Sequence, residues 1–279
     1  MVHKQTSEIV NSNPELVKAK SQVLYLPQQN EYFIHIPKCG GTSVRDVLIL
    51  KNIQQSFQLE TIDIGNHSKA KEIGKLIDLK TNNFLVSVRN PIGRFLSAYN
   101  FIIDIDKRKV KTNISKKQKE FYKNRYDAVK QLGFSQFTDF LHNKKQRQNF
   151  YETWYHNDPC PNHFTWAFER QVDWLTGIPE ENLKFFQIEN QQIFKYLDTV
   201  LGGSKVKHYK REVGLKRKDA IYSYFEEDFK RFGYTLSDDF NNLHPLFLER
   251  ERQRQEVLEE YRDAPQWLQN FMKNIKTKK

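Results

Sequence analysis

The chain has 279 residues, of which 38% are hydrophobic and 14% aromatic, so its composition excludes a disordered protein. Only two cysteines occur, which excludes a disulfide framework. The formal net charge of +11, with a pI of about 9.4, suits an anionic small molecule, an acidic glycan or a nucleic acid as partner, and does not choose among them.

The first 30 residues are polar, and we expect them to lie on the surface or to remain mobile. No apolar run in the chain is long enough to cross a bilayer, and the N-terminus lacks the apolar core of a secretory signal. We therefore expect no membrane span and a cytoplasmic bacterial protein. The alternative is a Golgi lumenal domain cut from a longer chain.

The first segment that carries chemistry is residues 31–50, EYFIHIPKCGGTSVRDVLIL. Residues 32–36 predict a buried strand that Pro37 ends, and the apolar spacing after Ser43 predicts a helix. The turn between them contains a lysine, two glycines and two hydroxyl residues: Lys38, Gly40, Gly41, Thr42 and Ser43. Glycines and a helix N-terminus favour anion binding. A kinase P-loop would instead place Lys-Ser or Lys-Thr after its glycines.

The second such segment is residues 84–99, FLVSVRNPIGRFLSAY. It predicts a buried strand over residues 84–88, then a helix with Asn90 as its N-cap and Pro91 in its first turn. Arg89 ends the strand, and Ser97 lies off the apolar stripe of the helix, where it can face a ligand. Between the two segments we expect a helix over residues 68–79, with His67 just before it.

The basic stretch at residues 106–130 is either a solvated surface or a surface that holds a polyanionic acceptor. Further along, the sequence predicts a strand at residues 183–188 and helices at residues 135–145, 163–176, 190–201 and 219–232. This alternation predicts a three-layer α/β/α domain with a central parallel sheet. Beyond residue 234 we expect a helical C-terminal extension of open function, and the oligomeric state is also open.

Residues 36–43, IPKCGGTS, together with residues 84–99, resemble the two phosphate-binding segments of sulfotransferases that use 3′-phosphoadenosine 5′-phosphosulfate (PAPS). The resemblance is to carbohydrate sulfotransferases of the heparan sulfate 2-O-sulfotransferase and bacterial family 2 type. Cys39 replaces the usual Thr of that family, and Asn90 replaces the commoner Asp. The resemblance implies a P-loop-like sulfotransferase fold over residues 31–234, between an N-terminal segment of residues 1–30 and an extension of residues 235–279.

The same resemblance implies PAPS as the donor and assigns residues to it. Lys38 would neutralise the leaving oxygen, Arg89 and Ser97 would bind the 3′-phosphate, and a late basic loop would close over the donor. The residues expected to bind the donor are Lys38, Cys39, Gly40, Gly41, Thr42, Ser43, Arg89, Ser97, Lys216 and Arg217. Arg45 could face phosphate or solvent, and Arg94 could bind the ligand or pair with a carboxylate.

His67 is the candidate catalytic base, because imidazole titrates near neutral pH and the resembling enzymes often place a catalytic histidine between the two segments. The alternatives are His35, Glu60 and Asp63. A metal site formed by His156, Cys160 and His163 is rejected, because their spacing is irregular and a fourth ligand is missing.

These expectations give an enzyme that sulfates a hydroxyl group of a glycan or of a hydroxylated small molecule, including an anionic one. A nucleotide-binding kinase is one alternative. The other is a non-catalytic protein that binds polyanions, and we expect no specific nucleic-acid partner.

Overall fold

The computed structural model describes residues 21–53, 58–110, 113–156, 158, 162–189 and 218–236. These residues fold as two compact units. One contains residues 21–88 and 174–189, and the other contains residues 89–173 and 218–236. The first unit carries the strands, and the second is built of helices.

The strand unit contains a five-stranded sheet in the order β3-β1-β2-β4-β5. The strands are β1 (Gln22–Leu26), β2 (Glu31–Ile34), β3 (Glu60–Gly65), β4 (Asn83–Val88) and β5 (Leu183–Gln187). β2, β4 and β5 run parallel, whereas β1 is antiparallel to both β2 and β3. The α/β class and the three expected strands are confirmed. The sheet is mixed, so the expectation of a parallel sheet holds for its β2-β4-β5 part and not for β1 and β3.

The segment assigned to the polar N-terminus contains a core strand, which corrects the sequence analysis. In β1 the side chains of Val23, Leu24 and Leu26 are fully buried. A turn at residues 27–30 leads directly into β2, and Asn30 in that turn has a left-handed φ of 52°. Because β1 has only five residues between polar flanks, it gives a weak periodic signal.

Two α-helices of the strand unit are described, α1 (Gly41–Ile53) and α2 (Ala70–Ile73), together with the 3₁₀ turn Glu180–Asn182. The helix expected at residues 68–79 is wrong beyond this single turn. Ala70 and Ile73 are buried, but the chain turns at Gly74, and from there to residue 82 it forms turns and two bends. Glycine is a poor former of helix interiors, so Gly74 favours a turn over a longer helix.

The helical unit contains seven described α-helices and the 3₁₀ turn Trp166–Phe168. The helices are α3 (Pro91–Val110), α4 (Lys116–Asp139), α5 (Lys144–Trp154), α6 (Asn162–Thr165), α7 (Gln171–Trp174), α8 (Lys218–Tyr224) and α9 (Glu226–Phe232). The expected helix at 163–176 is therefore broken into short pieces, and the one at 219–232 is interrupted at Phe225. The expected helix at 135–145 is divided between the end of α4 and the start of α5. Gly233, with a left-handed φ of 69°, ends α9, which agrees with the predicted end of that helix at residue 232.

Aromatic rings fill the core of the helical unit. Phe95, Phe137 and Phe168 contact one another with ring centroids 5.1 to 5.8 Å apart, and Phe164 and Phe225 extend the cluster. Most of the aromatic residues of this unit are thus used for packing. Among the described residues, no helix combines the length and the apolar character needed to span a membrane. The expected helix at 190–201, the loop with Lys216 and Arg217, and the C-terminal helices lie outside the described residues.

The basic stretch at residues 106–130 contains one buried ion-pair cluster. The guanidinium of Arg125 pairs with the carboxylates of Asp106 and Asp158 and packs against the rings of Tyr122 and Tyr155, 4.8 and 4.6 Å from their centroids. Burial raises the pKa of Asp106 to about 6, although its ion pair with Arg125 acts in the opposite direction. Arg125 and Asp106 therefore belong to the core and not to the solvated surface.

We expect Asp106 to make the free energy of unfolding depend on pH between about 4 and about 6. In this window the folded protein holds a proton that the unfolded chain releases, so the contribution of Asp106 falls as the pH rises, by up to about 1.4 kcal/mol per pH unit. Asp106→Asn removes this fall. Urea unfolding at about pH 4 and about pH 6 should show the variant gaining on the parent as the pH rises. Asp104→Asn, an exposed change on the same helix, should show the same pH dependence of the free energy of unfolding as the parent. If Asp106→Asn also showed the parental pH dependence, the expectation would be contradicted.

Candidate functional site

The segment from β2 to α1 forms the strand, the turn and the helix that the sequence predicted. The N–H of Cys39 donates to the carbonyl of Ile36 (3.3 Å), and the N–H groups of Ser43 and Val44 both donate to the carbonyl of Gly40 (2.9 and 3.3 Å), which opens α1. Lys38 and Gly40 have left-handed φ values of 69° and 72°. Such a φ is uncommon for a residue other than glycine, and local strain of this kind is typical of functional sites.

The donor groups of this loop differ in exposure. Thr42 is exposed, Lys38 and Ser43 are half-buried, and the side chain of Cys39 is fully buried. The first N–H groups of any α-helix lack partners within the helix, and α1 is long enough to carry a positive N-terminal dipole. The loop therefore combines an ammonium, two hydroxyls and main-chain N–H groups for an anion, whereas the thiol of Cys39 packs into the core.

The two glycines of the loop are required by close packing. A Cβ atom on Gly41 would overlap the imidazole of His35, and a Cβ atom on Gly40 would overlap the δ-methyl group of Ile188. At Gly40 the left-handed φ also disfavours other residues. At Gly41 the restriction is steric alone, because the His35 ring lies directly against the backbone.

His35 and His67 lie side by side in the strand unit, with ring centroids 4.2 Å apart. Nδ1 of His67 is 3.1 Å from the carbonyl oxygen of His35. Because a carbonyl oxygen only accepts, Nδ1 of His67 carries a proton, and the lone pair of the neutral ring is on Nε2. This tautomer leaves His67 able to accept a proton at Nε2.

The alternative bases are placed differently. His35 is buried, and burial, followed by His67, Arg45 and Lys38, lowers its pKa well below the ordinary value, so the ring is neutral near pH 7. Glu60 and Asp63 lie on β3 with exposed side chains. His67 is therefore the partly exposed imidazole of these four candidates, and a main-chain carbonyl defines its tautomer.

Arg45 serves the fold, which corrects the expectation that it faces phosphate or solvent. Its side chain is 2% exposed, and Nη2 donates to the carbonyl of Gln22 at 2.7 Å. The guanidinium therefore ties α1 to the start of β1. Residue 22 lies in the polar segment expected on the surface, so the sequence does not indicate this partner.

In the helical unit, Arg89 immediately precedes the start of α3. Asn90 caps this helix, since its Oδ1 accepts from the N–H of Ile92 (3.0 Å) and its carbonyl accepts from the N–H of Arg94 (2.8 Å). The expected cap is confirmed, and an amide oxygen here can replace the carboxylate that the resembling sulfotransferases commonly have. The side chains of Arg89 and Ser97 are both half-buried.

Arg94 has main-chain partners that neither of the two expected uses includes, and its charge also lowers the pKa of the Asp228 carboxyl. Its side chain is 1% exposed, Nη1 donates to the carbonyl of Glu169 (2.6 Å), and Nη2 donates to the carbonyl of Trp166 (2.8 Å). Arg94 therefore holds the segment around the 3₁₀ turn against α3. Local spacing along a helix cannot reveal these main-chain partners, which lie 72 and 75 residues away.

Sequence reasoning missed Gln171, whose side chain is fully buried. Its Oε1 accepts from the N–H of Arg89 (2.9 Å), and its Nε2 donates to the carbonyl of Arg89 (2.8 Å). The main-chain N–H groups of Gln171 and Val172 in turn donate to the two carboxylate oxygens of Asp228, each at 2.8 Å. No local pattern marks a glutamine of this kind, because its partners lie 57 and 82 residues away.

His156 and His163, the histidines of the rejected metal site, have other contacts. Nδ1 of His156 lies 2.9 Å from the carbonyl of Glu152, and the ring of His163 packs between Phe101 and Trp166. Cys160 is outside the described residues. Within the described ranges, no group of three or more His, Cys, Asp or Glu side chains is arranged to hold a metal ion.

We expect Gly41→Ala to lower the free energy of unfolding by roughly 1–3 kcal/mol, because the new methyl group must displace the His35 ring. Gly65→Ala is the matched control, since its nearest neighbour is the Ser68 hydroxyl at 3.8 Å, and it should change the stability by less than about 0.5 kcal/mol. Chemical denaturation measures both. In a His35→Ala background, Gly41→Ala should cost less than in the parent. Equal effects of the two glycine variants would contradict this packing.

A family model described as the Sulfotransferase family matches residues 21–235. No curated protein and no solved structure shows significant similarity to the chain. The match includes β1, which the resemblance over residues 31–234 left out. It also includes the candidate site residues Lys38, His35, His67, Arg89 and Ser97. Since the match covers most of the chain and the loop has the geometry of an anion site, the chain belongs to the sulfotransferase family.

Proposed function

We propose that this chain transfers a sulfuryl group from PAPS to a hydroxyl group of a carbohydrate acceptor. Family membership indicates sulfuryl transfer in general. The observation that carries the finer proposal is the loop between β2 and α1, where Lys38 and the start of α1 present donors for an anion. A kinase is disfavoured, because no Lys-Ser or Lys-Thr pair follows the glycines of this loop.

The proposed reaction breaks one S–O bond and forms another. The acceptor oxygen bonds to sulfur as the bond from sulfur to the bridging oxygen of the donor breaks, and that electron pair stays on the 5′-phosphate. Negative charge therefore grows on the leaving phosphate. The ammonium of Lys38 and the N–H groups at the start of α1 would stabilise that charge.

Arg89 and Ser97 would bind the 3′-phosphate of the donor. A guanidinium binds two phosphate oxygens at once, and a hydroxyl adds a further hydrogen bond. Both side chains are half-buried, which supports contact with a ligand at partial desolvation. Lys216 and Arg217, outside the described residues, stay predicted members of the same donor site.

His67 would take the proton of the acceptor hydroxyl on Nε2. The hydrogen bond from Nδ1 to the carbonyl of His35 supports this assignment, because it leaves Nε2 as the proton-accepting nitrogen. The excess of positive charge, together with exposed lysines on α4 such as Lys116, Lys119 and Lys123, favours an acceptor that carries negative charge.

We expect Lys38→Ala to lower the rate of sulfuryl transfer by roughly 10²- to 10³-fold, because it removes a charge that stabilises the leaving phosphate. The measurement is transfer of a radiolabelled sulfuryl group from PAPS to a panel of saccharides. Lys75→Ala, an exposed lysine in the same unit, is the control and should match the parent. A folded Lys38→Ala variant with parental activity would refute the proposed function of the loop.

We expect His67→Ala to lower the transfer rate by roughly 10²- to 10⁴-fold while changing the affinity for adenosine 3′,5′-bisphosphate by less than about twofold. The reason is that a base acts on the acceptor and not on the donor. His156→Ala is a matched control, because Nδ1 of His156 also lies at a main-chain carbonyl. If both variants kept the parental rate, His67 would not be the base.

A further inference from the structure

The peptide groups on either side of the Arg89 Cα atom are held by one buried amide. The N–H of Arg89 donates to Oε1 of Gln171, and the carbonyl of Arg89 accepts from Nε2 of Gln171, at 2.9 and 2.8 Å. The Gln171 side chain is fully buried and reaches Arg89 from 82 residues further along the chain. Two hydrogen bonds to the same residue restrict both of its backbone dihedrals.

Gln171 is itself held by a buried carboxylate. Asp228, which is fully buried, accepts the N–H groups of Gln171 and Val172 on its two oxygens, both at 2.8 Å. Burial raises the pKa of Asp228, while these two N–H groups and the charge of Arg94 lower it. The carboxylate thus fixes the backbone from which the Gln171 amide projects.

A second contact joins α7 and α9 at the solvent-exposed side. Arg170 pairs with Asp173 on α7 (2.8 Å) and with Glu227 on α9 (2.6 Å). Arg170 is more than one-third exposed, so these pairs stabilise the junction only weakly. The buried hydrogen bonds of Gln171 and Asp228 are therefore the main link between α7 and α9. Arg170 is a neighbouring residue, and its substitution should not alter the backbone of Arg89.

We propose that Gln171 is a positioning residue for recognition of the 3′-phosphate, and that Asp228 holds it in place. The inference rests on the proposed function, in which Arg89 binds that phosphate. A guanidinium binds two phosphate oxygens only when its plane is correctly oriented. Fixing the main chain of Arg89 reduces the freedom that the side chain must lose on binding.

Gln171→Met tests the proposal, because methionine keeps the length and packing of the side chain and removes both hydrogen bonds to Arg89. The affinities for adenosine 3′,5′-bisphosphate and adenosine 5′-monophosphate are measured by calorimetry on the parent, Gln171→Met, Arg89→Ala and the double variant. Only the first ligand carries the 3′-phosphate. Arg170→Met is the matched control, and thermal unfolding checks that each variant folds.

We expect Gln171→Met to weaken bisphosphate binding roughly tenfold and to change monophosphate binding by less than about twofold. In the Arg89→Ala background the same change should have no further effect, because Gln171 acts through Arg89. Arg170→Met should match the parent. Should Gln171→Met fail to fold, Asp228→Asn replaces it, and a smaller loss that is again confined to the bisphosphate is expected.

Equal weakening of both ligands, or a full additional loss in the Arg89→Ala background, would overturn the proposal and leave Gln171 a structural residue. Failure of the proposed function is separate from this result. It would appear as unchanged bisphosphate affinity in Arg89→Ala itself.

Discussion

The candidate site depends on the contact between the His35 ring and the backbone of Gly41. This contact leaves no space for a Cβ atom at the start of α1, and it brings the first N–H groups of that helix next to the end of β2. The same histidine, through its main-chain carbonyl, defines the tautomer of His67. One buried residue at the end of a strand therefore shapes both the anion loop and the candidate base. Burial keeps the His35 ring neutral, so it adds no charge of its own.

In the helical unit, buried polar side chains hold the main chain around the candidate phosphate-binding residue. Arg89 and the cap of α3 lie where regular strand hydrogen bonding ends, and buried main-chain groups there need other partners. Gln171 supplies them for Arg89 from 82 residues away, whereas Asp228 and Arg94 bond the main chain of residues 166–172. Each of these buried polar side chains makes several hydrogen bonds, which compensates for the loss of water. The result is a fixed backbone at the residue proposed to bind phosphate.

Sequence reasoning predicted the parts whose determinants are local. The end of β2 and the starts of α1 and α3 are marked by local signals, namely Pro37, the glycine pair and the Asn90-Pro91 cap. The loop and the start of α3 were therefore predicted correctly. β1 and β3 were missed because short strands between polar residues give little periodic signal. Arg45, Arg94 and Gln171 were assigned other functions or none, since their partners are main-chain atoms far away in sequence. The helix break at Phe225 was also missed, because no glycine or proline marks it in the sequence. The donor-binding residues and the base stay predictions until ligands are measured.

The measurement that tests the central claim most directly is a calorimetric titration of the parent protein with adenosine 3′,5′-bisphosphate in the presence of a chelator, against ATP with magnesium. If the loop at Lys38 and the segment at Arg89 bind a PAPS-type donor, the bisphosphate binds without a divalent metal and more tightly than magnesium ATP. Preference for magnesium ATP would contradict the account in favour of a phosphotransferase. Absence of binding by either nucleotide would contradict it in favour of a protein that binds polyanions without turnover.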